Sequence, residues 1–454
     1  MSAEPLSLAA LQAALQRPLF AEKSWRLAPE PWSLPEDALE ELHLIGNACL
    51  AFHQVLDRLY LKSRNDRRIL RNGDLKVPWV AEYLDAAKPS WLIEHGAVKA
   101  AKGHFPTVLR PDLIATADGF ALVEMDAVPG GIGLTAFLEE LYLREKSNGM
   151  PSAFHAALST LVPDCDNPSI ALVVSDEAAT YRPEMEWVAE FLREQGHVIT
   201  VAHPDELEVR SDGVFLGDEK QELLYRFWEL FDYEEVAVMR EIAQAAEAGL
   251  VTVTPPMRAF QEEKLALGLF WHHRLEDYWR ENLSKASWNL LRRIIPRTWI
   301  LDPAELPPGA VLDGPIIGGK QITSWRDLAS ATKKERNLVI KASGFHETAW
   351  GARSVVVGSD VASEDWAVAV DNALAAWPDP VHVLQEYRKP ALLRHKVYQE
   401  GGETTSMDGR LRLSPYYFVQ NGEARLSGAL ATFCPADKKI IHGMQDGVLL
   451  PCVI

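Results

Sequence analysis

The sequence predicts a mixed chain, α/β in its middle and α+β toward its end, with a helical N-terminal region. Three observations carry this. The run SIALVVSDEA reads as a buried strand, RPEMEWVAEFLREQGH as an amphipathic helix with Pro183 near its start and Gly196 near its end, and VITVAHPDEL as a second strand. That β-α-β order implies a parallel, Rossmann-like layer. After residue 336 the strands NLVIK and VHVLQEY flank a helix near 362–376, which gives the α+β part. Before residue 100, EDALEELHLIGNACLAFHQVLDRLYL has apolar residues at helical spacing and acids near its start.

The chain has 454 residues, long enough for two to three domains and a large core. It is 47% hydrophobic and 24% charged, as an ordinary globular protein is. The net charge is -18, with no basic run, which disfavours nucleic acid as a partner. The four cysteines, Cys49, Cys165, Cys434 and Cys452, form no CxxC pair, so neither a disulfide framework nor a zinc signature is expected. The N-terminus lacks a basic segment before an apolar core, and no apolar run reaches membrane-spanning length. A cytoplasmic, reduced protein without a membrane partner is the simplest expectation.

Along the chain, residues 1–100 read as helical. A hairpin covers 109–131, followed by the helix TAFLEELYLREK. The parallel layer lacks GxGxxG, so no dinucleotide fingerprint is present. VRSDGVFLG reads as a hairpin around Asp212-Gly213, and LLYRFWELF as a strand. Pro255-Pro256 marks a boundary, after which long helices run through FQEEKLALGLFWHHRLEDYWRENL. Residues 302–319, rich in Pro and Gly, read as a connector. The expected division is 1–100, 101–165, 166–255 and 256–454.

The hairpin carries the most unusual charge. LRPDLIATADGFALVEMDAVPGG holds Arg110, Asp112, Glu124 and Asp126. Glu124 and Asp126 are two apart on a strand and share a face. A three-residue loop at 117–119, closed by Gly119, pairs 116 with 120. That register sets Asp112 opposite Glu124 and Arg110 opposite Asp126. Carboxylates about 5 Å apart repel by roughly 3 kcal/mol at an effective dielectric near 20. Arg110 offsets one charge. A divalent ion offsets two, and carboxylate oxygens favour Mg²⁺ or Mn²⁺. A solvated hairpin face with one salt bridge is the plainer alternative.

The pattern R-x-D, a D-G turn, E-x-D and P-G-G resembles the circularly permuted ATP-grasp family, in particular the synthetase domain of glutathionylspermidine synthase. The resemblance implies an ATP-grasp fold with a Rossmann-like layer before its nucleotide part. It also implies an ATP-dependent carboxylate-amine ligase that uses ATP and Mg²⁺ and forms an amide or peptide bond through an acyl phosphate. By the same resemblance Arg110 is catalytic, and Asp112, Glu124 and Asp126 hold the metal. Asp126 stands where that family often has Asn, which adds a negative charge. QEEKLALGLFW is similar to the family's lysine-bearing helix, so Lys264 would meet ATP phosphate, although Gln261, Glu262 and Glu263 replace the usual Asn. NLVIKASGFHETAWGARSVVVG resembles the family's strand-loop-strand, with Lys341 at the phosphates and a loop at 343–353 that includes Gly344 and Gly351. VHVLQEYRKP resembles the hinge strand, where the backbone near Gln385, Glu386 and Tyr387 would hold adenine and Glu386 the ribose. The partners implied are a small-molecule or peptide carboxylate and an amine acceptor.

Other residues say less. His272 and His273, adjacent on an expected helix, point to different faces and make no metal pair. His346 lies within the proposed phosphate loop. Arg410 and Arg412 could bind an anion or be solvated strand charges. Cys434 and Cys452 show no base at a motif distance, so nucleophilic catalysis has no support. The alternative from another class is a nucleotide-binding sensor or scaffold without ligase activity.

Overall fold

The pairing of chain-distant strands decides how this protein is organised. The structure, a computed structural model, describes residues 5–20, 24–143, 149–307, 310–441 and 446–453. The last residues of the helix expected over TAFLEELYLREK and part of the 302–319 connector fall outside these. Two units emerge, each assembled from separate stretches: 1–50, 104–257 and 390–454 form one, and 51–103 and 258–389 the other.

The first unit contains a seven-stranded sheet. Its path runs Trp32–Ser33, Val448–Val453, Glu423–Pro435, Thr404–Gln420, Val108–Thr116, Gly119–Asp126, with Leu393–Tyr398 also on the long strand Thr404–Gln420. The expectation that 256–454 forms one nucleotide-binding part therefore does not describe the tail. The first strand of the acidic hairpin, Val108–Thr116, pairs on its other side with Thr404–Gln420, with Arg412 opposite Ile114, Leu413 opposite Leu113 and Tyr417 opposite Leu109. Leu411 and Leu413 are buried between less buried Arg410 and Arg412, the alternation of a one-sided strand. The helix Glu36–Arg64 lies close to this sheet near Gly46, where a Cβ would fall 2.6 Å from Tyr417 Cε1. The Tyr417 hydroxyl donates to the Leu42 carbonyl at 2.6 Å.

The same unit holds a four-stranded sheet in the order Thr252–Thr254, Leu223–Phe227, Ile170–Val174, Ile199–Ala202, all parallel. Two of its strands, Ile170–Val174 and Leu223–Phe227, are buried at every residue, as parallel strands covered on both faces must be. Arg226 lies fully buried among them. Its guanidinium donates to the carbonyls of Pro255, Trp228 and Pro256 at 3.1, 2.6 and 3.4 Å. The boundary between units falls at Met257, just after the Pro255-Pro256 pair.

The second unit has a four-stranded antiparallel sheet: Thr298–Leu301, His382–Glu386, Leu338–Ala342, Val356–Val357. Trp299, Leu301, Leu338, Ile340 and Leu384 pack on Trp366, Val370 and Leu374 of the helix Ser363–Ala375. By alternation Thr298, Lys341 and Gln385 occupy the other face. Where long helices are expected over 260–283, the helical stretches are short. A 3₁₀ turn at Ala259–Glu262, a helix at Leu265–Trp271, a second 3₁₀ turn and a helix at Glu276–Asn282 replace them. The break comes at His272, whose ψ of 122° ends the first helix while its ring accepts from the Arg274 amide. His272 and His273 leave the helix together, so their rings stack at 4.8 Å instead of diverging.

Among the described residues no helix is long and apolar enough to cross a membrane.

Glu139, on the helix Ile132–Leu143, is buried where a Cβ at Gly428 would come 2.8 Å from its Oε1. Burial pushes its carboxyl up from 4.5 to about 8, against a hydrogen bond from the Ala429 amide. Below the unfolded value both states hold the proton. Between there and pH 8 only the folded state keeps it, so stability falls as pH rises through that window. Glu139→Gln should therefore stabilise the protein by about 2–4 kcal/mol at pH 9 and hardly at pH 5. Urea midpoints of both proteins at the two pH values test this. An equal difference at both would show that this carboxyl does not titrate with folding.

Candidate active site

The acidic hairpin brings four charged residues together through a register set by two compensating features. The turn is tighter than expected: Ala117 and Asp118 alone connect Thr116 to Gly119, whose φ is +106°. The pairing of 116 with 120 is thus replaced by 116 with 119. The pairs then run Ala115–Phe120, Ile114–Ala121 and Leu113–Leu122, and the register shifts between Asp112 and Leu113 with Val123 as the inserted residue. Beyond that bulge Asp112 faces Glu124 and Arg110 faces Asp126, as the sequence implies. The residue removed from the loop reappears in the bulge.

Side-chain contacts follow. Arg110 Nη2 donates to Asp126 Oδ2 at 2.6 Å and Nη1 to the Gly130 carbonyl at 3.0 Å. Its Nε lies 3.7 Å from Asp112 Oδ1. Burial opposes the guanidinium charge, but Asp126 and Asp112 outweigh it and hold Arg110 well above the ordinary arginine value. Asp126 Oδ1 also accepts from the Val128 amide at 2.9 Å.

Asp112, 7% exposed, has partners from far along the chain: Arg412 Nη1 at 3.1 Å and Ser414 Oγ at 3.0 Å. Arg412 is the site residue that sequence reasoning left ambiguous. Arg410 and Arg412 sit on one face of a strand, and nothing local tells them apart. The pairing of Arg412 with Ile114 puts it two residues from Asp112, within diagonal reach. Arg410 instead donates to the Lys438 carbonyl at 3.2 Å. The three carboxylates thus have two guanidinium neighbours, not one.

The P-G-G turn is held from below. The Tyr416 hydroxyl donates to the Gly130 carbonyl at 2.7 Å. Glu184, fully buried, accepts from the Gly131 and Leu134 amides at 2.8 and 3.0 Å, so the N-terminus of the helix Ile132–Leu143 already has a carboxylate. Among the described residues no group of three or more His, Cys, Asp or Glu is arranged to hold a metal ion. The hairpin acids offer hard oxygen donors of the kind Mg²⁺ takes one or two at a time, with substrate phosphates completing the shell.

The remaining expected residues lie in the second unit. Lys341, 6% exposed, donates to Gln385 Oε1 at 3.1 Å, and Gln385 Nε2 donates to Thr298 Oγ1 at 3.0 Å. Lys264 stands at the N-terminus of Leu265–Trp271 and reaches the loop, donating to the Ala349 carbonyl at 3.1 Å. Gly344 passes the backbone closely, since a Cβ there would lie 2.5 Å from the Glu262 carbonyl oxygen. Gly351 has φ +61°, a conformation that favours glycine. His346 accepts from the Thr348 amide at 3.1 Å and caps a short turn. The Glu386 and Tyr387 amides donate within the sheet region, to Arg297 and Asn337 carbonyls at 2.8 and 2.9 Å. Beside them a cavity of about 390 Å³ is lined by Arg297, Trp299, Leu338, Glu386, Tyr387 and Arg388.

No protein-family profile matches the sequence, and no curated protein matches it. Solved structures do. A glutathione synthetase-like effector from Globodera pallida, in its apo form, aligns over 98% of this chain and 95% of its own, with a TM-score of 0.55 and 13% identity. A provisionally named gamma-glutamylcysteine synthetase from Methylobacillus flagellatus aligns over 88% of this chain and 87% of its own, with a TM-score of 0.45 and 12% identity. The first likeness shows a fold similar to that of this effector over nearly the whole chain. The second is too distant to add to it.

Arg412 and Asp112 form a largely buried pair, so breaking it should cost stability. Arg412→Met is expected to destabilise by about 1–3 kcal/mol, with Asp112→Asn in the same chain recovering part of that. A double-mutant cycle measured by urea denaturation checks it. A coupling near zero would mean the pair is screened by solvent.

Proposed function

We propose that this chain is an ATP-dependent carboxylate-amine ligase that makes an amide or peptide bond through an acyl phosphate. The observation that carries the reading is the hairpin register, Arg110 opposite Asp126 and Asp112 opposite Glu124, on a chain whose fold resembles a glutathione synthetase-like protein over nearly its full length. The substrates are a small-molecule or peptide carboxylate and an amine acceptor.

In this reading a substrate carboxylate oxygen attacks the γ-phosphorus of ATP, and ADP leaves. The acceptor amine then attacks the acyl carbon, phosphate departs, and the nitrogen loses a proton. Arg110 neutralises charge that develops on the transferred group, and Asp126 fixes its orientation. Asp126, in place of the family's Asn, makes this a charge-assisted contact. The resemblance assigns Mg²⁺ or Mn²⁺ to Asp112, Glu124 and Asp126, which as they stand are not arranged as a three-carboxylate cluster; the ion would supply charge stabilisation at the phosphates. Lys341 and Lys264 bind phosphate oxygens, and the loop 343–353, with Gly344 and Gly351, covers them and excludes water from the acyl phosphate. Base and ribose go to the end of the hinge strand, at Gln385, Glu386 and Tyr387, the last two of which line the cavity there.

A nucleotide-binding sensor without ligase activity is the second reading. Both readings need a nucleotide site, and the sensor needs no acyl transfer at the hairpin.

A thermal-shift titration with ATP, with and without Mg²⁺, should raise the melting temperature of the wild type only when both are present. Glu124→Gln should lose the Mg²⁺-dependent part and Lys341→Ala most of the whole shift. No shift at millimolar Mg·ATP would remove the ligase reading. A shift without ADP release from pooled acids and amines would leave the sensor.

A further inference from the structure

The helical segment 51–103 has no role in the reading above, yet it sends one cation into the base of the phosphate loop. Lys88 and Glu263 form an ion pair in which both side chains are 3% exposed. The other oxygen of Glu263 accepts from the Ser343 hydroxyl. Ser343, 1% exposed, opens the loop 343–353, and its Oγ in turn accepts from the Leu265 amide at 2.9 Å. The Ser343 carbonyl accepts from the Lys264 amide at 3.4 Å, and the Lys88 ammonium lies 5.1 Å from the centre of the Phe345 ring. Gly344 then crosses Glu262 with no room for a side chain.

We infer that Lys88 and Glu263 are positioning residues for the loop 343–353, acting through Ser343 and Phe345 to fix where the loop leaves its strand. The inference rests on the reading of that loop as the phosphate cover. A desolvated pair is stable only in a narrow geometry, because each charge lacks water and needs its partner. The Glu263 carboxylate is therefore held in place from one side by Lys88, and it presents its second oxygen to the first loop residue. The same link ties Ser343 to the start of Leu265–Trp271, so Lys264 and the loop base share one anchor. Lys264, reaching Ala349, is a second tie farther along the loop. A pair that served only to stabilise the unit would not need to engage the hydroxyl of the first loop residue.

The test separates anchoring from general stability. Amide hydrogen exchange is followed in the full chain without nucleotide for the wild type, Ser343→Ala, Lys88→Met and Lys88→Arg. Ser343→Ala cuts the link with a small, buried change that should leave the fold intact. The expected result is exchange at least 10-fold faster at 344–353 in Ser343→Ala and Lys88→Met, with the strands Thr298–Leu301 and His382–Glu386 unchanged and Lys88→Arg close to the wild type. Unchanged loop exchange in Ser343→Ala, or acceleration spread evenly over the whole unit, overturns the inference. Exchange with Mg·ATP added to the wild type is a separate reading: absence of loop protection there counts against the nucleotide assignment and leaves the anchor standing.

Discussion

Asp112 is the contact on which the arrangement of the acidic hairpin depends. It lies in the strand shared by the hairpin and the C-terminal strands, and it is bound from both sides. Arg110 approaches along its own strand, and Arg412 and Ser414 reach it from Thr404–Gln420, 300 residues later for Arg412. A buried carboxylate costs several kcal/mol unless it is paired. The pairing of these two strands therefore fixes the electrostatics of the hairpin as well as its backbone. If the long strand slipped by one residue, Arg412 would turn to the opposite face and Asp112 would lose its strongest partner.

The same rule recurs at three other buried cations. Arg226 ends on three carbonyls, Arg258 on Asp57 and the Gly96 carbonyl, and Lys88 on Glu263. In each case the partners come from a different stretch of sequence or from a segment that leaves regular structure. Buried charge demands a specific neighbour, whereas apolar contacts tolerate many. These contacts thus specify where loops and strand ends go more sharply than the surrounding core does.

What the sequence made legible follows from the same distinction. Short-range signals worked where the physics is local. The β-α-β alternation matches an all-parallel sheet at Ile170–Val174 and Ile199–Ala202, and NLVIK and VHVLQEY are strands. The hairpin register near Asp112 and Glu124 came out as expected although the loop did not, because a bulge at Val123 restored the count. Bulges leave almost no mark on a single sequence. The membership of the tail was invisible for another reason. Strand alternation shows that Thr404–Gln420 has a buried face but not which strand it joins. The shortness of the helices after residue 264 left no mark in the sequence, because a histidine cap at His272 ends the first of them without Gly or Pro.

Alternation also constrains the hinge more than its spelling suggests. Gln385 shares a face with Lys341 and Thr298, and the distances between them show it. Glu386 must then turn to the face of Trp299 and Leu384, toward the helix Ser363–Ala375. One flat ligand on the Lys341 face cannot touch both side chains in mid-sheet. It can do so only past the last sheet pair, where Glu386 meets Leu338 and the strand ends. The cavity lined by Glu386, Tyr387 and Arg388 is at that end. A nucleotide whose phosphates lie along Lys341 would therefore have to run parallel to the strand, with its base beyond the sheet edge. On the proposed reading the side chain of Gln385 stays with the lysine, and Glu386 and Tyr387 would be the side chains of the hinge that meet base and sugar.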